Sequence, residues 1–224
     1  MKSQSYYSLH RREMLQFLPS NYLRVLEVGC GEGSFRFNLD TSCEYWAIEA
    51  NDVSAKLASK IIYKVFHGKY EEVYEQLPDN YFDLVICNDV IEHMSDHEHF
   101  LISVKRKMTK ESCLIGSVPN IRHIHALAEL LFRKDWRYVE QGIFDKTHLR
   151  FFTEKSLKTV FSNCGWSIEN LKGINPQSYE DNLLKKTLAL ILVLTFGRDI
   201  RFVQFGFCIK PNFDSLFLPD CSPE

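Results

Sequence analysis

The sequence predicts an α/β domain built on a mostly parallel, seven-stranded sheet with helices on both faces. Short apolar runs alternate with helix-like stretches, which is typical of βαβ units. The first apolar run leads directly into a glycine-rich turn, as strands of parallel sheets do at ligand sites. Apolar residues make up 45% and charged residues 25% of the 224 residues, which is an ordinary globular composition.

Seven strands are predicted from the apolar runs. Five continuous runs indicate strands buried on both faces: Leu23–Val28, Tyr45–Glu49, Ile62–Phe66, Phe82–Asn88 and Cys113–Val118. Two later runs, Trp166–Leu171 and Phe202–Ile209, alternate apolar and polar residues, which favours an edge or antiparallel position. Between the fifth and sixth strands, Thr153 is predicted to cap a helix that Gly165 stops.

The remaining segments set the predicted limits of the domain. The stretch 120–152 fits no simple βα unit and is rich in His, Arg, Trp and Tyr, so we interpret it as an inserted lid or substrate region between strands five and six. We predict one domain over residues 1–210 and a C-terminal tail over 211–224. The apolar run Leu188–Phe196 is about half of the ~20 residues that a membrane span needs, so we expect a buried helix end and no transmembrane segment.

Charge and cysteine content limit the classes of partner and compartment. The net charge of −2 supplies no strong positive field, which argues against a dedicated nucleic-acid binder. The seven cysteines include no C-x-x-C pair, and we expect small buried hydrophobes of a reducing compartment, without a disulfide framework or zinc cluster. The N-terminus has no apolar signal core, so we expect a cytoplasmic protein. None of these features indicates an oligomeric state.

A glycine turn after the first strand and an acid at the end of the second predict a nucleoside site. Gly29, Gly31 and Gly33 are spaced G-x-G-x-G, which lets a ligand approach the backbone closely. A dinucleotide fingerprint is spaced G-x-G-x-x-G, so this turn disfavours a nicotinamide oxidoreductase. Glu49 follows Gly29 by twenty positions, and a carboxylate there can accept hydrogen bonds from both hydroxyls of a ribose. A simple tight turn beside a solvated acid is the structural alternative.

Four segments, in this order, resemble the motifs of class I S-adenosylmethionine-dependent methyltransferases. VLEVGCGEGSF (Val25–Phe35) resembles the first motif, AIEAN (Ala47–Asn51) the second, FDLVICNDVIEHM (Phe82–Met94) the fourth-strand motif, and SVPN (Ser117–Asn120) the end of the fifth strand. The resemblance covers about residues 10–210. It implies a Rossmann-like fold, a methyltransferase activity and S-adenosylmethionine as cofactor.

The same resemblance implies roles for individual residues. Glu27 and the three glycines would flank the methionine part of the cofactor, Glu49 would hold the ribose, and Asn88 would lie beside the sulfonium. Many relatives carry an acid after strand three, next to the adenine. This sequence has Phe66-His67-Gly68-Lys69-Tyr70 there, so we expect backbone groups or Tyr70 to supply the adenine contact.

Titratable residues follow the fourth strand and recur in a second cluster. Asp89, Glu92 and His93 would share one face if the chain turns helical after the strand, at the edge where open α/β sheets bind ligands. The stretch Phe144–Thr153 resembles a D-x-T-H-L-R-F-F-T signature of a bacterial branch often associated with methylation of surface glycans or secondary metabolites. That resemblance implies O-methylation of a sugar, glycan or small-metabolite acceptor.

Three roles are open for the titratable residues. The acid-x-x-Glu-His pattern plus His148 is also similar to ubiquinone-pathway O-methyltransferases and small-RNA 3′-terminal 2′-O-methyltransferases, in which equivalent positions bind a divalent metal that holds the acceptor oxygens. That likeness implies Asp89, Glu92, His93 and His148 as ligands, and RNA or a quinone precursor as the alternative acceptor. Asp89 is one methylene shorter than the Glu of those groups, which favours a metal-free route with His93 or His148 as the catalytic base. The third possibility is structural, with Asp89, Glu92 and His93 capping and pairing around a helix start. For the protein as a whole, the alternative to an enzyme is a non-catalytic cofactor-binding regulatory protein.

Overall fold

The computed structural model describes residues 10–177 and 191–212, and its core is one seven-stranded sheet. The strands are β1 (Arg24–Val28), β2 (Glu44–Glu49), β3 (Lys64–His67), β4 (Phe82–Asn88), β5 (Met108–Pro119), β6 (Trp166–Pro176) and β7 (Phe202–Pro211). Their order in the sheet is β3-β2-β1-β4-β5-β7-β6. The first five strands pair in parallel, whereas β7 is antiparallel to both β5 and β6. This confirms the mostly parallel sheet and the antiparallel position predicted for the last two strands.

Helices and short 3₁₀ turns connect the strands. The α-helices are α1 (Asp52–Ala58), α2 (Tyr70–Val73), α3 (His97–Lys107), α4 (Ile124–Ala128) and α5 (Glu154–Asn163). Thr153 caps α5 by accepting a hydrogen bond from the Ser156 amide, and Gly165 follows its end with a φ of 70°, which confirms the predicted start and stop. The 3₁₀ turns are Arg12–Phe17, Ser34–Asn38, Tyr74–Gln76, Ile91–His93 and Arg198–Arg201, and a π-helical turn covers Glu129–Arg133.

Each face of the sheet has its own apolar core, because successive side chains of a strand point to opposite faces. On one face, Leu26 of β1 belongs to the same cluster as Phe100 of α3 and Phe161 of α5. On the other face, Val25 belongs to a cluster with Phe17 of the first 3₁₀ turn. Burial on both sides explains why the central strands read as continuous apolar runs in the sequence.

The strand order places a ligand site between β1 and β4. Chain order runs outward from β1 to β3 on one side and from β4 to β5 on the other, so the connections diverge between β1 and β4. Open α/β sheets bind ligands at such a switch point, beyond the carboxyl ends of the strands. The glycine turn follows β1, and Asn88 ends β4, so both lie at this edge.

The stretch 120–152 leaves the sheet after β5, and its two ends pair with each other. It begins with α4 and the π-helical turn, and isolated bridges pair Asn120 with Phe152 and Val139 with Asp145. Asp145 and His148 are buried, at 1% and 8% exposure. Its end is therefore packed into the molecule, whereas its action as a lid stays a prediction.

Two expectations concern the C-terminal part of the chain. The described part of the apolar run, 191–196, is helical, but Ile191 and Leu194 are 55% and 78% exposed, so the expected buried helix end is wrong for these residues. No helix within residues 10–177 and 191–212 is long and apolar enough to cross a membrane. The limits of the domain (1–210) and the tail (211–224) stay predictions, because residues 213–224 lie outside the described part. The six described cysteines are all buried, as expected, and Cys221 lies outside the described part.

Candidate active site

A cavity of about 580 Å³ lies at the carboxyl ends of β1, β2, β3 and β4. Its wall combines the glycine turn, the end of β2, the loop after β3, the turn after β4 and the end of the 120–152 stretch. Five of the six residues predicted to contact the cofactor line it: Glu27, Gly29, Gly31, Glu49 and Asn88. Gly33 does not line the cavity.

The glycine turn needs glycine for two different reasons. Gly29 has a φ of 74°, and a Cβ there would lie 2.6 Å from Val90 Cγ2, so the turn after β4 packs directly on the turn after β1. Gly33 has a φ of 82° and precedes the Ser34–Asn38 turn, where a Cβ would lie 2.9 Å from Ile62 Cδ1. Gly33 is thus required by backbone conformation and packing, away from the cavity.

Glu49 joins the end of β2 to the glycine turn. One carboxylate oxygen accepts a hydrogen bond from the Gly31 amide and the other from the Asn51 amide, each at 2.8 Å. A carboxylate has about four acceptor positions, so each oxygen can also accept a hydroxyl from a ligand in the cavity. This geometry suits a group that holds a ribose.

Glu27 is a buried carboxyl in the same wall. It is 3% exposed, and Tyr45 Oη donates a hydrogen bond to it at 2.6 Å. Burial raises the pKa of Glu27 to about 8, the hydrogen bond from Tyr45 works against that rise, and the nearby Glu49 adds to it. A cationic group bound next to Glu27 would favour its ionised form.

Asn88 presents an unsatisfied amide to the cavity. Neither its side-chain oxygen nor its side-chain nitrogen has a hydrogen-bond partner within the described residues, although both atoms are buried. A buried amide without partners costs about 1–3 kcal/mol, which a polar ligand in the cavity would recover. The Asn88 amide, the glycine turn and Glu49 together fit a nucleoside linked to an amino acid.

The loop after β3 forms the wall at the far side of Glu49. Gly68, Lys69 and Tyr70 all line the cavity. Tyr70 is 2% exposed, and its hydroxyl lies 3.2 Å from Ser103 Oγ on α3. Its hydroxyl is therefore paired within the protein, and the adenine contact stays a prediction.

Asp89 does not share a face with Glu92 and His93, so that expectation is wrong. Asp89 has a φ of 54°, and the short 3₁₀ turn Ile91–His93 begins only after it. Its carboxylate instead accepts hydrogen bonds from Arg11, from Ser117 Oγ at 2.8 Å and from Gln204 Nε2 at 2.7 Å. Burial would raise the pKa of Asp89, but Arg11 and these hydrogen bonds outweigh it and hold the pKa below its usual value.

The other three predicted residues do come together. Potential ligand atoms of Glu92, His93 and His148 all lie within 4.8 Å of one another, and Asp89 is outside this group. The two imidazole centroids are 4.8 Å apart, although the residues are separated by 55 positions. The approach is fixed by the backbone, because the Leu149 and Arg150 amides donate to the Glu92 carbonyl at 2.8 and 3.1 Å. Glu92 and His148 are buried, whereas His93 reaches the cavity wall.

Backbone carbonyls select the tautomer that each imidazole adopts when it is neutral. His93 Nδ1 lies 3.0 Å from the Thr147 carbonyl oxygen, and His148 Nδ1 lies 3.1 Å from the Ile143 carbonyl oxygen. A carbonyl oxygen only accepts, so each Nδ1 carries a hydrogen, and in the neutral form each Nε2 carries the lone pair. This is the form that a general base or a metal ligand requires.

Sequence reasoning missed Arg11 and Gln204, which meet at Asp89. Arg11 lines the cavity and Gln204 lies on β7. No periodicity or spacing links positions that far apart, so no local signal could have identified them. Asp145 and Thr147, by contrast, lie within the D-x-T-H signature and could have been singled out.

Comparisons with known proteins identify the family of this chain. Residues 4–171 match the family model described as a methyltransferase domain. The ubiquinone biosynthesis O-methyltransferase of Rickettsia bellii is 26% identical over 164 residues, which is 71% of this chain and 68% of that protein. The human thiol S-methyltransferase TMT1A is 26% identical over 170 residues, covering 72% of this chain and 62% of that protein.

Solved structures share the fold at low sequence identity. A SAM-dependent methyltransferase from Archaeoglobus fulgidus aligns with a TM-score of 0.67 and 17% identity, over 93% of this chain and 94% of that one. An S-adenosylmethionine-dependent methyltransferase from Mesorhizobium loti aligns with a TM-score of 0.59 and 14% identity, over 88% and 95% of the two chains. Because the family match spans most of the chain and the sheet has the same architecture, this chain belongs to the methyltransferase domain family and is an S-adenosylmethionine-dependent methyltransferase.

Proposed function

We propose that this enzyme methylates a hydroxyl oxygen of a sugar, glycan or small-metabolite acceptor. The observation that carries the proposal is the position of His93 in the wall of the cavity that also contains Glu49 and the glycine turn. A neutral His93 has its Nδ1 hydrogen directed at the Thr147 carbonyl, so its Nε2 is the basic atom. An imidazole in this form is suited to accept the proton of a hydroxyl. The His93 Nε2 atom is itself buried, so the side chains that cover it must shift before an acceptor hydroxyl can reach it.

The roles of the wall residues follow from their chemistry. Glu27, Gly29, Gly31, Glu49 and Asn88 would hold S-adenosylmethionine, which when bound supplies an electrophilic methyl group. The acceptor oxygen gains this methyl group and loses its proton to a base of the protein, so the products are S-adenosylhomocysteine and a methyl ether. Orientation of the acceptor can supply roughly 7–11 kcal/mol in the best intramolecular cases.

The mixed lining of the cavity supports a hydroxylated acceptor. Asp89, Ser95 and Thr147 add polar groups to the wall, and Met94 and Leu149 add apolar surface. Hydroxyls find both donors and acceptors in such a wall. The relative from Rickettsia bellii is named an O-methyltransferase, which also favours oxygen as the acceptor atom. The net charge of −2 makes RNA a poor acceptor.

A metal-assisted reaction is the second candidate, and the grouping of Glu92, His93 and His148 favours it. One carboxylate and two imidazole nitrogens form a set that suits several divalent metals. A metal held there would lower the pKa of an acceptor hydroxyl and orient it. Asp89 is not one of these three residues, and its carboxylate accepts hydrogen bonds from Arg11, Ser117 and Gln204.

An acceptor screen tests the proposed function. The purified enzyme is incubated with S-adenosylmethionine and panels of sugars, sugar nucleotides, catechols and short RNAs. Formation of S-adenosylhomocysteine and a mass gain of one methylene unit on a sugar or small hydroxylated metabolite is the expected result. Turnover only with RNA or only with catechol-type quinone precursors would contradict the proposed acceptor. No turnover with any compound of the panel would also contradict the proposed acceptor class.

Chelation and substitution separate the base from the metal. A metal-assisted enzyme loses activity in chelator, regains it with a divalent ion, and loses activity in each of Glu92→Gln, His93→Ala and His148→Ala, because every ligand fixes geometry. If the base acts without a metal, activity is unchanged in chelator. The pH dependence of the rate is then lost only in the variant that lacks the histidine acting as base. His99 is an exposed histidine, so His99→Ala is the matched control and should retain activity.

A further inference from the structure

An arginine from the N-terminal segment lies in the cavity wall. The Arg11 side chain is 12% exposed, and its guanidinium contacts two carboxylates and one hydroxyl. It donates to Asp89, to Ser117 Oγ at 2.8 Å and to Glu13 at 2.6 Å. Arg11 is therefore the cation that neutralises the partly buried Asp89. The other residues of the cavity wall come from the sheet, its connections or the 120–152 stretch.

The segment that carries Arg11 is anchored on the sheet. The 3₁₀ turn Arg12–Phe17 buries Met14 and Phe17. A Cβ at Gly206 of β7 would lie 2.5 Å from the Phe17 ring, so this ring occupies the space that the glycine leaves open. The anchor delivers Arg11 to the carboxyl ends of β4 and β5, where Asp89 and Ser117 lie.

Arg11 contacts the turn 88–90, which follows β4, lines the cavity and packs on the glycine turn. Asp89 adopts a left-handed conformation that costs a non-glycine residue free energy, so its partners must hold it there. On one side of it, Asn88 presents its unpaired amide to the cavity. On the other side, Val90 packs on Gly29 of the glycine turn. A change at Asp89 is thus transmitted to two groups that bind the cofactor.

Charge makes Arg11 different from the other partners of Asp89. Ser117 and Gln204 are neutral donors, whereas Arg11 supplies the opposite charge. Removing one member of a buried ion pair leaves an uncompensated charge, which is more costly than removing both members. The pair therefore behaves as a unit.

We propose that Arg11 is a positioning residue of the methyl-transfer site: it neutralises Asp89 and thereby holds the turn 88–90 in the geometry that binds the cofactor. Through Arg11, the N-terminal segment 10–17 contributes one residue to the active site. This inference goes beyond the proposed function, because it holds for any acceptor.

Calorimetry with S-adenosylhomocysteine tests the inference without an acceptor. Arg11→Met should weaken binding by about tenfold or more, because the turn relaxes around an unpaired carboxylate. Arg11→Lys keeps the charge and should stay within about threefold of the wild type. The double variant Arg11→Met with Asp89→Asn removes both charges and should recover most of the affinity lost in Arg11→Met. Arg12→Met, next to Arg11 and exposed, is the matched control and should bind like the wild type.

Hydrogen exchange supplies a second readout on the same variants. Amides of residues 84–92 should exchange faster in Arg11→Met than in the wild type, and protection should return in the double variant. If Arg11→Met binds S-adenosylhomocysteine as the wild type does, Arg11 has no positioning role. If the double variant binds no better than Arg11→Met, the segment acts through packing and not through charge. Should Arg11→Met fail to fold, the Lys variant and the double variant still decide between these results.

Discussion

Glu27→Gln should stabilise the cofactor-free enzyme at alkaline pH and at the same time weaken cofactor binding. Burial raises the pKa of Glu27 to about 8, whereas the value for an exposed glutamate is 4.5. Between these two pH values the folded protein keeps the proton and the unfolded chain releases it. Unfolding then releases a proton, so stability falls as the pH rises through this window. The glutamine variant keeps an acceptor for Tyr45 but has no such proton.

The size of the effect follows from the width of the window. A pKa difference of one unit corresponds to about 1.36 kcal/mol, and the contribution changes with pH by up to that amount per unit inside the window. From pH 6 to pH 8 the wild type should therefore lose about 2 kcal/mol relative to the variant, with the slope flattening near the upper pKa.

Denaturant unfolding of both proteins across this pH range measures the difference. Glu111→Gln, which removes an exposed carboxylate on β5, is the control and should track the wild type. Parallel pH profiles for Glu27→Gln and the wild type would refute the reasoning.

Calorimetry of S-adenosylhomocysteine binding adds a second readout. If Glu27 faces the ammonium group of S-adenosylhomocysteine, wild-type affinity should rise from pH 6 to pH 8 and the variant should be weaker and show less pH dependence. A variant that binds as tightly as the wild type at pH 8 would remove this role.

Three further predictions concern other parts of the cavity. Gly31→Val and Glu49→Ala should each weaken S-adenosylhomocysteine binding by about tenfold, because the Glu49 carboxylate and the Gly31 amide support each other; unchanged calorimetric affinity would contradict the assignment. Thr147→Val should lower kcat without changing S-adenosylhomocysteine affinity, because Thr147 Oγ1 lies 3.1 Å from His93 Nδ1, and Thr147→Ser should retain activity; equal kcat values for both variants would argue against this contact. The stretch 120–152 should gain protection from hydrogen exchange when cofactor and acceptor bind, and high protection already in the free enzyme would identify it as a static structural element.

Much of the fold could be predicted because its signals are local. A buried strand requires a continuous apolar run, and the helix α5 requires a cap at Thr153 and a stop at Gly165, all within a few positions. The glycine turn and Glu49 were identifiable for the same reason. A parallel sheet fixes which strand ends meet, so two short patterns twenty positions apart point to one ligand site.

The extent of the candidate site was less predictable, because it depends on backbone conformation at single residues. Helical spacing placed Asp89 with Glu92 and His93, but a left-handed conformation at Asp89 turned its carboxylate away from them. The exposed residues of 191–196 were mispredicted for a related reason. An apolar run indicates a surface that could be buried, but it does not identify a neighbouring element that covers it.

The sequence by itself determined the class of fold, the order of its strands along the chain and the residues at the glycine turn. Only the tertiary structure decided that His148 meets His93, and that Arg11 and Gln204 both bind Asp89. The physical reason is the range of each interaction. Hydrophobic periodicity and backbone preference act over a few residues and leave a local pattern, whereas these polar contacts join positions that are 55 to 115 residues apart. They form only when the sheet brings the strand ends together and excludes water from the charges between them.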